Sequence, residues 1–227
     1  MRYISKMKKM GLFMAVVLGL TACANSSPQV DIYKALEEVV ASEKQFSKQQ
    51  QPLVELEKQE KEKYDQIISL GMKEHKKIQS LSDEALNIVK KREQRIQQEK
   101  KSMDESKAKF KEAVELIQEL EEEKYKKEAE KLIVLMNKRY DSYDTLHKQY
   151  EKAVQLDRQL YEMFKKDDVK LGELEKQITT INKTYEEIMK ANEEFNQLTK
   201  QYNQAKVTLY KKAGLEVVKE SQEESVQ

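Results

Sequence analysis

The chain has no tryptophan, one cysteine, two prolines and five glycines in 227 residues, and no long apolar run. A single cysteine excludes an intramolecular disulfide and a thiolate-rich metal site, so stability must come from packing. Glycine and proline are both missing from the one hundred residues between Gly71 and Gly172. A β-rich domain needs turn residues about every 8–12 positions, and a phosphate-cradling loop needs clustered glycines. That stretch can be neither. Neither sign of charge dominates, with 42 Lys and Arg against 41 Asp and Glu. A nucleic-acid-binding protein normally carries a basic excess or patch, which the overall balance does not supply. The longest apolar stretch, residues 10–20, falls well short of the ~20 residues a membrane-spanning helix requires.

What is present begins at the N-terminus. Arg2, Lys6, Lys8 and Lys9 precede the apolar stretch with no acid among them, and Leu20-Thr21-Ala22-Cys23 closes it. A basic segment, a short apolar segment and small residues at a cut site make a secretory signal. Leu20 to Cys23 resembles the lipobox of bacterial lipoproteins, where the cysteine sulfur takes a diacylglyceryl group and the chain is cut just before it. That predicts a signal peptide over 1–22, cleavage between Ala22 and Cys23, and lipidation of Cys23. Acyl chains contribute about 0.8 kcal/mol per buried CH₂, and two chains hold where one binds only marginally. A plain cleaved signal would instead leave a lone thiol in an exported protein, a reactive liability. Beyond the cut remain 205 residues, with 38 basic and 41 acidic side chains and a formal balance of −3.

The rest reads as helix. Residues 23–29 form the lipidated cysteine and a polar tether. Val30, Tyr33, Leu36, Val39 or Val40, and Phe46 then fall on one helical face, and Pro52 is expected to end or kink that first helix. A second segment from Pro52 carries Leu53, Leu56, Tyr64, Ile67, Ile68 and Leu70, with a break expected near Ser80–Ser82 and a helix start at Ser82. Val89, Ile96, Met103, Phe110 and Ile117 recur at intervals of seven, the signature of left-handed supercoiling against partner helices. The stripe thins between Glu121 and Lys131. It returns with Leu132, Met136, Tyr140, Tyr143, His147, Tyr150, Val154, Leu160 and Phe164. The favoured positions for a hidden turn in this stretch are 141–144 and 102–106. A last helix after Lys165–Gly172 carries Leu171, Leu174, Ile178, Ile181, Tyr185, Ile188, Phe195, Tyr202 and Leu209, with Asn192, Thr199 and Lys206 in the same stripe. Lys211-Lys212-Ala213-Gly214 has the basic last turn and glycine of a helix stop. No such amphipathic helix is stable alone. The expected fold is all-α: an elongated antiparallel bundle of three to four long helices with coiled-coil-like packing over 30–214, followed by an acidic flexible tail over 215–227.

No catalytic constellation, cofactor motif or metal-ligand spacing stands out. His75 and His147 belong to no His-x-x-x-His arrangement, and the many carboxylates read as a solvated surface with i,i+4 partners such as Glu122 with Lys126. The chain is therefore read as no enzyme. One constellation remains, the stripe Tyr140, Tyr143, His147 and Tyr150, whose rings could stack on sugars or line a partner groove. The competing reading is bundle packing, which the spacing favours.

The segments Leu-Thr-Ala-Cys-Ala (20–24), Asp-Ile-Tyr-Lys-Ala-Leu-Glu (31–37), Tyr-Asp-Gln-Ile-Ile-Ser-Leu-Gly (64–71) and Phe-Lys-Lys-Asp-Asp (164–168) resemble the YkyA-type family of cell-wall-binding lipoproteins of Gram-positive bacilli. The resemblance implies attachment to the extracytoplasmic face of the cell membrane and a role in contacting peptidoglycan or envelope proteins. It carries over no binding residues. The alternative is a helical regulator or chaperone-like adaptor of an exported protein, with a groove opened at the thin stripe over 121–131. Nucleic acid is not an expected partner, and the heptads leave self-association open.

Overall fold

The structure is a computed structural model that describes residues 27–215, including every side chain there except those of Met72 and Lys124. The chain is all-α, with no strand among the described residues. A short helix α1 (Pro28–Ser42) is followed by four long ones: α2 (Lys44–Leu70), α3 (His75–Gln118), α4 (Glu123–Phe164) and α5 (Leu171–Lys212). A 3-10 turn, Gly71–Lys73, joins α2 to α3.

The helix ends follow from local chemistry. Ser27 caps α1, its hydroxyl accepting from the Val30 N–H, while Pro28 occupies a first-turn position that needs no donor and Asp31 faces the positive end of the dipole. The expected tether over 23–29 is thus helical from Pro28 onward. Gly71, at φ 58°, takes the left-handed conformation that ends α2. Gly214, at φ 72°, closes α5 in a Schellman arrangement, with Leu215 N–H on the Tyr210 carbonyl and Gly214 N–H on the Lys211 carbonyl.

Several expected boundaries lie elsewhere. The first break falls at Glu43, and α2 continues past Pro52 instead of ending there. Glu43 leaves the α1 helix with its side chain bound to Arg139, whereas Pro52 sits inside a helix whose Leu53, Tyr64 and Ile67 are buried. No helix starts at Ser82: α3 is continuous from His75 to Gln118, and Ser82 is buried within it. Neither 102–106 nor 141–144 is a turn. Ser102 and Ser106 are buried in α3, bonding the Ser42 carbonyl and Glu43, and Tyr143 packs inside α4. The turn from α3 to α4 lies at 119–122, in the thinned stripe, where Glu119, Glu121, Glu122 and Glu123 are all exposed. No groove opens there, since Tyr125 and Ala129 are buried.

The helices form two compact units. Unit 1 comprises Gln45–Lys101 and Asp141–Phe195: most of α2, the first part of α3, the later part of α4 and the first part of α5. Unit 2 comprises, among described residues, 27–44, Ser102–Tyr140 and 196–215: α1 and the remaining lengths of α3, α4 and α5. Each unit is a four-helix packing with antiparallel neighbours. In unit 1, Gln49 meets Arg95 while Glu60 meets Arg92, and Glu93 meets Arg158 while Gln97 meets Glu151. In unit 2, Ser42 meets Ser102 while Glu38 meets Lys109. The apolar stripes line both interiors: Leu53, Val89, Ile96, Leu160 and Ile181 in unit 1, and Leu36, Met103, Phe110, Leu132 and Met136 in unit 2. Leu171 and Ile68, counted in the stripes from their spacing, are instead 69% and 50% exposed, each at a helix end.

Candidate functional site

Ala22 and Cys23, the residues of the expected cleavage and lipidation, lie outside the described residues, as do the signal segment 1–22 and residues 216–227 of the tail. The described chain begins four residues after Cys23, at the capped start of α1.

The tyrosine stripe is interior. Tyr140, in unit 2, donates to the Ser106 hydroxyl at 2.7 Å and packs edge-on to Phe110. Burial, reinforced by Glu43, holds its phenol well above the ordinary range. In unit 1, Tyr143 meets Phe46 and Phe195 with ring centroids 5.5 and 5.6 Å apart and stacks on His147. His147 lies 3.4 Å from Glu151, and Tyr150 is buried. None of the four presents a ring face to solvent. The same holds for every Tyr and Phe among the described residues: all ten tyrosines and four phenylalanines are buried. His75 is half-exposed and pairs with Asp167 at 2.7 Å, fastening the start of α3 to the α4–α5 connection.

A set of charged side chains that apolar spacing alone does not pick out lies in the helix-packed interior. In unit 1, Glu57 and Glu60 on α2, Arg92 and Glu99 on α3, and Asp157 on α4 are all buried. Arg92 Nη1 donates to Glu60 Oε2 (2.6 Å) and Asp157 Oδ2 (2.9 Å), and Nη2 donates to the Tyr185 hydroxyl (2.8 Å). That hydroxyl donates in turn to Asp157 Oδ2 (2.7 Å), and Glu57 Oε1 lies 3.5 Å from Arg92. The Gln50 amide donates to Glu99. Burial outweighs the attraction of Arg92 and pushes the Glu57 carboxyl up to about 7 and Glu60 up to about 8. Burial also raises Asp157 against the pull of Arg92, and raises Glu99 well above the carboxylate range with Glu57 adding to the effect.

Unit 2 is matched in charge. Arg139 grips Glu43 with two parallel bonds of 2.7 Å, and its Nε donates to Thr199 at 2.8 Å. Ser106 donates to Glu43 as well. Lys206 and the Tyr210 hydroxyl both donate to Glu37, at 3.2 and 3.0 Å. Burial lowers the Lys206 ammonium, with Glu37 pulling the other way. One end of this unit holds a cavity of about 20 Å³ lined by Ile32, Leu120, Tyr125, Leu209, Tyr210 and Leu215, among others. It is large enough for a single water at most.

The sequence carried a signal for these groups. Leu53, Glu57, Glu60 and Tyr64 keep the four-three-four spacing of a buried face, so the apparent gap between Leu56 and Tyr64 is filled by acids. No group of three or more His, Cys, Asp or Glu with metal-holding geometry occurs among the described residues. No described helix is long and apolar enough to cross a membrane.

Fold and buried groups together define an all-α helical bundle whose internal charges are engaged with one another. The chain belongs to the YkyA family, described as "putative cell-wall binding lipoprotein", which it matches over residues 27–212. It is 39% identical over 211 residues, 93% of its own length and 95% of the relative's, to the uncharacterized lipoprotein YkyA of Bacillus subtilis (strain 168). Its fold is similar to that of a conserved protein of unknown function from Staphylococcus aureus, known from a crystal structure. The TM-score is 0.61 and the identity 14%, covering 83% of this chain and 98% of the other.

Proposed function

We propose that the chain is a non-enzymatic lipoprotein, held by a diacylglyceryl Cys23 on the extracytoplasmic face of the membrane, that contacts wall or envelope components through ionic side chains of its helical surface. The observation that carries the ionic part is the burial of every described tyrosine and phenylalanine, together with the absence of tryptophan. No ring among the described residues is open to stack on a sugar, and charged and amide side chains are prominent on the exposed surface. The outer face of α3 in unit 1 is the favoured contact. Lys90, Lys91, Gln94, Gln97, Gln98 and Lys101 are exposed along it, and Glu93, the one acid among them, is held by Arg158 at 2.7 Å. Such a strip suits an extended anionic polymer. Membrane attachment is assigned to Cys23, four residues ahead of the capped start of α1.

The test is co-sedimentation of residues 24–227, which contain every described helix, with purified sacculi bearing or lacking attached anionic polymer. Binding is expected to need the polymer, to fall as salt rises, and to weaken on Lys90→Glu/Lys91→Glu. Tyr143→Ala should lower the melting temperature and leave binding unchanged. Binding that ignores both salt and the charge reversal, or no binding at all, contradicts the proposal.

A further inference from the structure

Four carboxylates and one guanidinium share the interior of unit 1, whereas the buried cations of unit 2 meet carboxylates one to one. The ionisable groups facing the unit 1 layer are Glu57 and Glu60 from α2, Arg92 and Glu99 from α3, Asp157, Tyr150 and Tyr161 from α4, and Tyr185 from α5. Arg92 is the one cation among these eight groups. Were all four acids ionised, three negative charges would be left uncompensated in a space closed to water, which low local polarity penalises heavily. Two oxygens show where protons relieve this. Glu60 Oε1 and Asp157 Oδ1 are buried and accept no hydrogen bond, while the second oxygen of each carboxylate holds Arg92. A proton on either outer oxygen removes a charge without breaking an Arg92 contact.

We infer that this layer is a proton-dependent latch: unit 1 is closed when its carboxylates hold protons and loosens when they ionise. The sign follows from linkage. An unfolded Glu releases its proton near about pH 4.3, while Glu57 and Glu60 in the folded chain hold theirs up to about 7 and about 8. Between those values the folded state binds more protons, so the stability of unit 1 falls as pH rises through this window. Below it both states are protonated and the groups contribute no pH dependence; above it the loss is complete. Unit 2, matched in charge, has no such layer among its described residues.

The test is hydrogen–deuterium exchange of the intact lipoprotein in detergent micelles from about pH 5.5 to about pH 9, corrected for intrinsic exchange rates. Amides over 53–64, 88–99 and 150–161 are expected to lose about tenfold or more in protection across the range, relative to 32–39 and 129–136 in unit 2. Glu60→Gln and Asp157→Asn should each flatten that slope, whatever they do to its absolute level. Equal slopes in the two units, a flat profile in unit 1, or an unchanged slope in both variants would overturn the latch.

Discussion

Arg92 and Arg139 are both fully enclosed, yet their situations differ. Arg139 has a carboxylate that matches its fork, a threonine on Nε and a serine bracing the acid. Removing one member of such a pair leaves a buried charge without its partner, at a cost of about 3–5 kcal/mol, whereas replacing both by apolar groups is often close to neutral. Arg139→Leu should therefore lower the urea-unfolding stability by about that amount, and Arg139→Leu/Glu43→Leu should recover most of it. A double variant as unstable as the single one would mean that the pair contributes through packing rather than charge. The apolar spacing places Lys206 in its stripe but does not by itself reveal the buried acids and arginines. Helical spacing taken regardless of residue type does reveal them: Glu57 and Glu60 continue the stripe of Leu53 and Tyr64, and Arg139 falls in the four-three-four series of Leu132, Met136 and Tyr143.

The elements were legible wherever hydrophobic period decided them. Val89, Ile96, Met103, Phe110 and Ile117 are all buried on α3, and Gly214 stops α5. The α4–α5 connection was legible over 165–172 and the end of α5 at Gly214. The α3–α4 turn has neither glycine nor proline; four exposed glutamates mark it, and acids are equally at home on a helix surface. Pro52 gave the opposite error, since a residue that usually ends helices lies inside α2. Proline in a helix interior is about 3 kcal/mol less favourable than alanine, partly offset by the stiffer unfolded chain. Pro52→Ala restores an N–H to the Lys48 carbonyl and is expected to stabilise unit 1 by about 1–2 kcal/mol, read as a higher urea midpoint. An unchanged or lower midpoint would show that the backbone at 52 is shaped around the proline.

At the scale of the whole molecule, the sequence carried the family and the helical class, and the structure adds a division into two units with unlike interiors. That division could not be read from periodicity, because α3, α4 and α5 each contribute residues to both units with no glycine, proline or change of period at the boundaries. What differs is the charge inside the stripe, matched in unit 2 and acid-rich in unit 1. The exposed charge, the burial of the described aromatics and the lipobox-like segment 20–23 are what the proposed function draws on: anchorage by lipid, contact by charge. Its central claim rests on Cys23, and intact-mass spectrometry of the protein extracted from membranes tests it most directly. The account predicts a chain beginning at Cys23, lacking residues 1–22 and carrying the added mass of a diacylglyceryl group. A chain that retains residues 1–22, or one recovered from the soluble fraction with an unmodified Cys23, would contradict it.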